Sequence, residues 1–184
     1  MGLQESQTQN GGITFLSVSN GKFVRRVDEG TPNAVSRINK VGKTVHELFY
    51  TSLIGHVKEV TTKESEYGKF WVVKVKSPAN DQVYQFEMNY SSGYATSFLK
   101  ALPNVNLDIN VEISPAIVKK DDKSQSVIFL RQDGQAVKHF FTKATPNGMP
   151  DLEQIKVKGK ITWDDTKRME FLEKYVQSMF SLSF

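Results

Sequence analysis

Residues 83–103 read Val-Tyr-Gln-Phe-Glu-Met-Asn-Tyr-Ser-Ser-Gly-Tyr-Ala-Thr-Ser-Phe-Leu-Lys-Ala-Leu-Pro. In residues 83–90 apolar and aromatic side chains alternate with polar ones, which is typical of a half-buried strand. Apolar side chains then recur at helical spacing from Tyr94 to Leu102, after two serines that can cap a helix, and the final proline ends it. The stretch predicts one helix directly after a strand.

Strand patterns lie on both sides of this segment. Residues 46–60 and 70–75 precede it, and Gly55 within the first of them predicts a bulge or a tight bend. Residues 108–118 and 127–131 follow it, joined by a charged turn. The order is three strands, a helix and two strands, which is the arrangement of the OB barrel, and the sequence therefore predicts a mainly β protein of that fold. An SH3-like barrel and another small α+β domain are the alternatives.

The N-terminal region predicts a tail, a hairpin and a loop. Residues 1–12 are polar and are predicted to be a disordered tail. Residues 13–18 and 22–27 have strand patterns around Asn20-Gly21, the preferred pair for a tight type I′ turn. Residues 28–44 are polar and basic and are predicted to form a long loop able to fold over a bound strand.

Residues 13–143 are predicted to form the OB domain, and residues 144–184 a C-terminal extension. Within the extension, residues 155–161 indicate one short strand and residues 164–180 a closing helix. The helix carries an apolar stripe formed by Met169, Leu172, Val176, Met179 and Phe180. The stripe packs on the domain or on a partner subunit, so a homo-oligomer through this helix is one reading of it.

The amino-acid composition excludes several classes of function and indicates one kind of partner. The chain of 184 residues contains no cysteine, which excludes disulfides, thiolate chemistry and cysteine-based zinc sites. It has no apolar run of the roughly 18 residues that a membrane span needs, and its start lacks the features of a signal peptide. The net charge is +4, and all of the positive surplus lies before residue 145. A local basic surplus indicates a polyanionic partner.

The residues of common catalytic sites are sparse. The histidines His46, His56 and His139 are far apart and show no metal-ligand spacing. Two carboxylate pairs, Asp121-Asp122 and Asp164-Asp165, fit a hairpin tip and a helix start better than a two-metal site. Nucleotide-binding and nucleophile motifs are absent from the sequence. We therefore predict a protein that is not an enzyme and that holds no metal or cofactor.

Aromatic residues interleaved with basic ones are the most informative pattern. Single-strand binders stack bases on aromatic faces and hold phosphates with cations, and this needs little sequence preference. Adjacent Phe70 and Trp71 must point to opposite faces of their strand, and we predict that Trp71 is the outward one. The residues predicted to bind nucleic acid are Phe23, Arg25, Arg26, Arg37, Lys40, Lys43, Tyr67, Lys69, Trp71 and Lys74.

Several motifs resemble those of a family of small tailed-bacteriophage and prophage proteins, the OB-type single-stranded-DNA-binding proteins. They are residues 13–26, 30–37, 42–47, 67–69, 98–104, 147–150 and 163–168. The resemblance implies sequence-independent binding of single-stranded DNA in phage replication or recombination, in the host-cell cytoplasm, with replication proteins as further partners. Many such proteins end in an acidic run before a terminal phenylalanine; here Phe184 is present and the acidic run is absent.

Two other functions fit the same fold, because a fold alone does not decide function. One is a protein-interaction module, as a phage structural protein or an inhibitor of a host enzyme on a small β-barrel. The other is a nuclease, which would need carboxylates clustered in space.

Overall fold

The computed structural model describes residues 12–181, so all but the last residue of the tail predicted at residues 1–12, and the terminal Phe184, lie outside the described part. In chain order the elements are β1 (Ile13–Ser19), β2 (Lys22–Val27), β3 (Val35–Ile38), β4 (Thr44–Tyr50), β5 (Leu53–Ser65), β6 (Gly68–Lys76), β7 (Val83–Asn89), α1 (Gly93–Ala101), β8 (Val111–Lys120), β9 (Lys123–Gln132), β10 (Gln135–Ala136), β11 (Glu153–Val157), β12 (Lys160–Asp164) and α2 (Thr166–Ser181).

Ten of the strands form one sheet in the order β10-β9-β8-β5-β6-β7-β1-β2-β4-β3, and β11 and β12 pair separately. The prediction of a mainly β protein with a helix in the middle and a closing helix is confirmed. The predicted closed barrel is not found, because β10 and β3 each pair on one side only and end the sheet.

Helix α1 packs against β9 near one end of the sheet. The Ser97 hydroxyl accepts a hydrogen bond from the backbone N–H of Ile128 in β9 at 2.7 Å. One turn earlier in the helix, the Tyr94 hydroxyl accepts from the backbone N–H of Gly21, in the β1–β2 turn, at 2.9 Å. The helix thus lies along the part of this edge of β9 that β10 does not pair with.

The N-terminal hairpin is confirmed. β1 and β2 pair antiparallel around Asn20 and Gly21, whose φ angles of 48° and 74° fit a type I′ turn. β1 also pairs in parallel with β7, from Ile13 opposite Val83 onwards. This second pairing joins the hairpin to the rest of the sheet.

The predicted loop at residues 28–44 is only partly a loop, because β3 lies inside it and β4 begins at its end. All four residues of β3 are exposed. A fully exposed strand has no alternation of apolar and polar side chains that would predict it from the sequence. The predicted strand at residues 46–60 is in fact two strands, β4 and β5, separated at Thr51 and Ser52. The register irregularity of β5 lies between Val57 and Glu59, close to the bulge predicted at Gly55.

The apolar stripe of α2 belongs to the chain's own core. Met169, Leu172 and Val176 are buried, and Met179 and Phe180 pack against the same core while partly buried. Most of the stripe is therefore used in packing within the chain itself. Neither α1 nor α2, the helices of the described residues, has the length and apolarity needed to cross a lipid bilayer.

The strand predicted at residues 155–161 is instead the centre of a hairpin. β11 and β12 pair antiparallel, and the chain turns between them at Lys158 and Gly159, with φ angles of 48° and 81°. A lysine in the left-handed region is uncommon, so periodicity alone did not indicate this turn.

Candidate nucleic-acid interface

A row of side chains crosses the sheet on the side turned away from the core, which we call the outer face. Lys74 of β6 lies opposite Gln85 of β7, and Gln85 lies opposite Phe15 of β1. Their neighbours along the strands point the other way and are buried: Val73, Phe86 and Leu16. Because side chains alternate along a strand, the row must project outward, and Phe15 is 63% exposed.

The outer face continues onto β2 and β4. Ser17 lies opposite Val24, and Val24 lies opposite Phe49. Phe15 and Arg26 are each two residues from this row, so they project from the same side of the sheet. Phe49 is 43% exposed, and two accessible phenylalanine rings therefore share the outer face with a guanidinium.

Two arginines meet at one buried carboxylate on this face. Glu47 of β4 is only 4% exposed and accepts hydrogen bonds at 2.8 Å from both Nε and Nη2 of Arg37 in β3. Nη2 of Arg26 lies 3.6 Å from the same carboxylate. The cluster has a surplus of one positive charge, and both arginine side chains stay at least half exposed. An anion can reach these guanidinium groups from solvent.

The electrostatics hold this cluster ionised near neutral pH. The hydrogen bonds from Arg37 lower the pKa of Glu47, and this effect outweighs burial, which acts to raise it; Arg26 lowers it further. The same hydrogen bonds raise the pKa of Arg37. Glu47 thereby fixes the two guanidinium groups on the outer face.

We expect Glu47→Gln to lower stability at neutral pH and to lose this effect in acid. A carboxyl whose folded-state pKa is lowered contributes stability above its unfolded pKa, and this is lost as the pH falls through the folded value. Urea unfolding of the parent and the variant from pH 7 to about pH 3 would measure the difference, which should shrink toward acid. Glu66→Gln, at an exposed turn, is the control; an equal effect there would contradict the assignment.

Two further cations of the outer face, toward β5 and β6, are paired within it. Lys74 lies 3.0 Å from Glu59, and Lys63 pairs with Glu87. The unbalanced positive charge is therefore at the β2–β4–β3 end of the sheet.

Two of the predicted stacking residues are wrong, because they are buried. Trp71 is 1% exposed; its ring stacks on Tyr90 with centroids 5.5 Å apart, and its Nε1 donates to the Tyr90 carbonyl at 3.1 Å. Phe70, not Trp71, is on the outward side of β6. Phe23 is fully buried against Phe86, with centroids 5.1 Å apart. Neither Trp71 nor Phe23 offers a ring face to a base.

Lys69, also predicted to bind nucleic acid, has a structural partner instead. Its Nζ lies 2.8 Å from a carboxylate oxygen of Glu173 in α2 and 4.5 Å from the centre of the Tyr90 ring. Glu173 also accepts from the Tyr90 hydroxyl at 2.6 Å and from Thr62 at 3.1 Å. Burial acts to raise the pKa of Glu173, but these hydrogen bonds outweigh it and lower the pKa. The set fastens α2 to the sheet.

The remaining predicted residues are divided among three places. Lys40 and Lys43 are exposed at the tip of the β3–β4 hairpin and make no side-chain hydrogen bond or ion pair within residues 12–181. Arg25 is next to Arg26 in β2, so it points to the opposite side of the sheet. Tyr67 is 82% exposed in the β5–β6 turn. Only Arg26, Arg37 and Lys74 of the predicted set come together on the outer face.

The residues that the sequence prediction left out are Phe15 and Phe49. The signal for Phe15 was present, because Phe15 and Leu16 are adjacent apolar residues and adjacent strand residues face opposite ways, so one of them must point outward. For Phe49 the sequence gives no such signal, because residues 46–60 read as one continuous strand and the break at Thr51 and Ser52 is not visible in the pattern.

A metal-dependent arrangement is not seen in the described residues. Within residues 12–181 no three histidine or carboxylate side chains are placed to hold a metal ion. Asp121 and Asp122 form the β8–β9 turn, with φ angles of 50° and 61°. Asp164 accepts hydrogen bonds from Thr166 at the start of α2. Asp121, Asp122 and Asp164 thus have local structural roles.

Comparisons with protein-family models, with curated proteins and with solved structures found no match. The function is therefore inferred from the geometry of the outer face and from the sequence motifs.

Proposed function

We propose that this protein binds single-stranded DNA with little sequence preference and performs no catalysis. The observation that carries the proposal is the presence of two exposed phenylalanines, Phe15 and Phe49, on the same face as Arg26 and Arg37. Bases stack on aromatic faces whatever their identity, and guanidinium groups hold phosphates, so the pairing favours strands with unpaired bases over duplex.

We infer an OB-like unit within the sheet, formed by β5 to β9. β5, β6 and β7 pair in sequence, β8 pairs with β5 and β9 with β8, and α1 follows the third of these strands. OB-folds are partly open barrels that bind oligonucleotides on the face of their second and third strands. β6 and β7 hold those positions, and the row from Lys74 to Phe15 begins on them.

The β3–β4 hairpin supplies further cations beside this face. Asn39 orders its tip, because its side-chain oxygen accepts from the N–H groups of Val41 and Lys43 at 3.1 and 2.9 Å. Lys40 and Lys43 extend from that tip and can contact phosphates of a strand crossing β4. Counterion release at such contacts makes the expected affinity fall steeply with salt.

The biological setting in the proposal comes from the motifs that resemble phage single-stranded-DNA-binding proteins. The protein would coat single strands during phage replication or recombination in the host-cell cytoplasm, with replication proteins as neighbours.

We expect Phe15→Ala and Phe49→Ala each to weaken binding of an oligo-dT of about 30 nucleotides by roughly 1–3 kcal/mol, because each removes one stacking surface. Fluorescence anisotropy across a salt series, with the matching duplex in parallel, measures this directly. The parent should prefer the single strand and lose affinity steeply as salt rises.

Phe129→Ala is the matched control, since Phe129 is 53% exposed on β9 at the other end of the sheet. If Phe129→Ala weakens binding as much as the two outer-face variants, the site is misplaced. If neither single-stranded nor duplex DNA binds at low salt, the proposal fails and the protein-interaction module becomes the better reading.

A further inference from the structure

The hairpin of β11 and β12, which we call the arm, stands apart from the ten-stranded sheet. Every residue of β11 and all but the last of β12 are exposed. A two-stranded hairpin is at best marginally stable alone in water, because it has no core of its own. An arm exposed on both faces is therefore suited to contacting something outside the domain.

The charge of the arm selects the kind of partner. Lys156, Lys158 and Lys160 surround the turn, and residues 154–163 contain no acidic side chain. Glu153, at the base, is paired with Lys167 at 2.5 Å and does not offset the lysines. A surplus of three positive charges within five residues is complementary to a polyanion.

An exposed aromatic side chain accompanies these lysines. Trp163 of β12 is 61% exposed and lies opposite Gln154, while Ile161 lies opposite Lys156. Trp163 and Lys156 are therefore diagonal neighbours on one face of the arm, close enough to contact the same ligand. An indole plane beside an ammonium group is the combination that holds a base and its phosphate.

The base of the arm is fixed to the domain. Asp164, the last residue of β12, accepts hydrogen bonds from the N–H and hydroxyl of Thr166 at 3.1 and 2.6 Å. Thr166 starts α2, which is packed on the core through Met169 and Leu172. The arm consequently leaves the domain from an anchored helix and not from a long linker.

We propose that the arm is a second contact for single-stranded nucleic acid, with Trp163 stacking on a base and Lys156, Lys158 and Lys160 contacting phosphates. This inference rests on the proposed function and adds to it a binding element outside the outer face. It also assigns to residues 154–163 a role that the balanced charge of the C-terminal region did not indicate.

Tryptophan fluorescence tests the stacking directly, because the chain has two tryptophans in opposite environments. Trp71 is 1% exposed and Trp163 is 61% exposed. Oligo-dT of about 30 nucleotides should quench the parent's emission, and Trp163→Phe should remove most of the quenching, since only buried Trp71 remains. Trp163→Ala should weaken binding at least about fivefold.

The lysines are tested by a triple variant, Lys156→Gln, Lys158→Gln and Lys160→Gln. Each phosphate contact to a single strand contributes about 0.7 to the slope of log affinity against log salt, so three losses reduce it by about 2. The charge-matched control replaces Lys58, Lys138 and Lys174, which are exposed elsewhere, by glutamine. It should change the slope much less. Because the altered arm residues are exposed, all variants should unfold at the parent's temperature.

The outcomes separate this inference from the proposed function. If Phe15→Ala and Phe49→Ala weaken binding while the arm variants bind and quench as the parent does, the arm is not a contact and only this inference fails. If the parent binds no single-stranded DNA, both fail. If the arm variants instead change the mass of the free protein in solution, the arm docks on a second copy, which also overturns the inference.

Discussion

Gly93→Ala is expected to destabilise the protein by roughly 3 kcal/mol or more, which is large for the addition of one methyl group. A Cβ at Gly93 would lie 2.2 Å from the backbone oxygen of Ser126 in β9. That oxygen cannot move without disturbing the pairing of β9 with β8, and α1 cannot retreat without stretching the bond from Ile128 to Ser97. The strain must therefore be taken up by the helix–strand contact itself.

Urea unfolding would measure this effect as a lower midpoint at an unchanged slope. Ser91→Ala is the control, because Ser91 is exposed just before the capping residue Ser92. A loss of stability at Gly93 no larger than at Ser91 would mean that α1 does not lie against β9 as described.

Glu173→Ala should have the next largest effect on the protein, roughly 3 kcal/mol of lost stability. The substitution removes the shared acceptor of Lys69, Tyr90 and Thr62 and leaves a half-buried ammonium group without a counter-ion. Since these contacts join α2 to β5 and β6, we expect α2 to detach before the sheet unfolds. Hydrogen exchange of the α2 amides, compared with those of β6, would detect such local opening.

Glu170→Ala is the matched control, because Glu170 is an exposed glutamate on the same helix. If it destabilises the protein as much as Glu173→Ala does, helix propensity or net charge is responsible and not the shared acceptor. The conservative Tyr90→Phe should give an intermediate loss, since it removes one of the three hydrogen bonds and keeps the ring against Trp71.

Local patterns predicted the elements whose cause is local. Asn20-Gly21 located the first hairpin, and the alternation in residues 83–90 located β7, with Phe86 and Met88 buried as expected. The serine pair and Pro103 bounded α1, which Ser92 caps and a short 3₁₀ turn ends. Each of these signals depends on residues that are neighbours in the chain.

What the sequence did not predict depends on distant partners. Phe70 and Trp71 are equivalent by alternation, and the presence of α2 over one face of β6 decides which of them is buried. Lys69 looked free for the same reason, since its partner Glu173 is 104 residues away. The row from Lys74 through Gln85 to Phe15 likewise requires the parallel pairing of β1 with β7, which no local pattern indicates.

The parallel pairing of β1 with β7 also determines how long β1 lacks one of its partner strands during synthesis. Its first pair, Ile13 and Val83, is about 70 residues apart in the chain. A ribosome adding about 5–20 residues per second needs about 4–14 s to supply β7 after β1 has been made. Until then β1 can pair only with β2, and Leu16, which is buried in the finished sheet, lacks the strand on its other side. Apolar surface that is exposed in this way makes a nascent chain prone to aggregation.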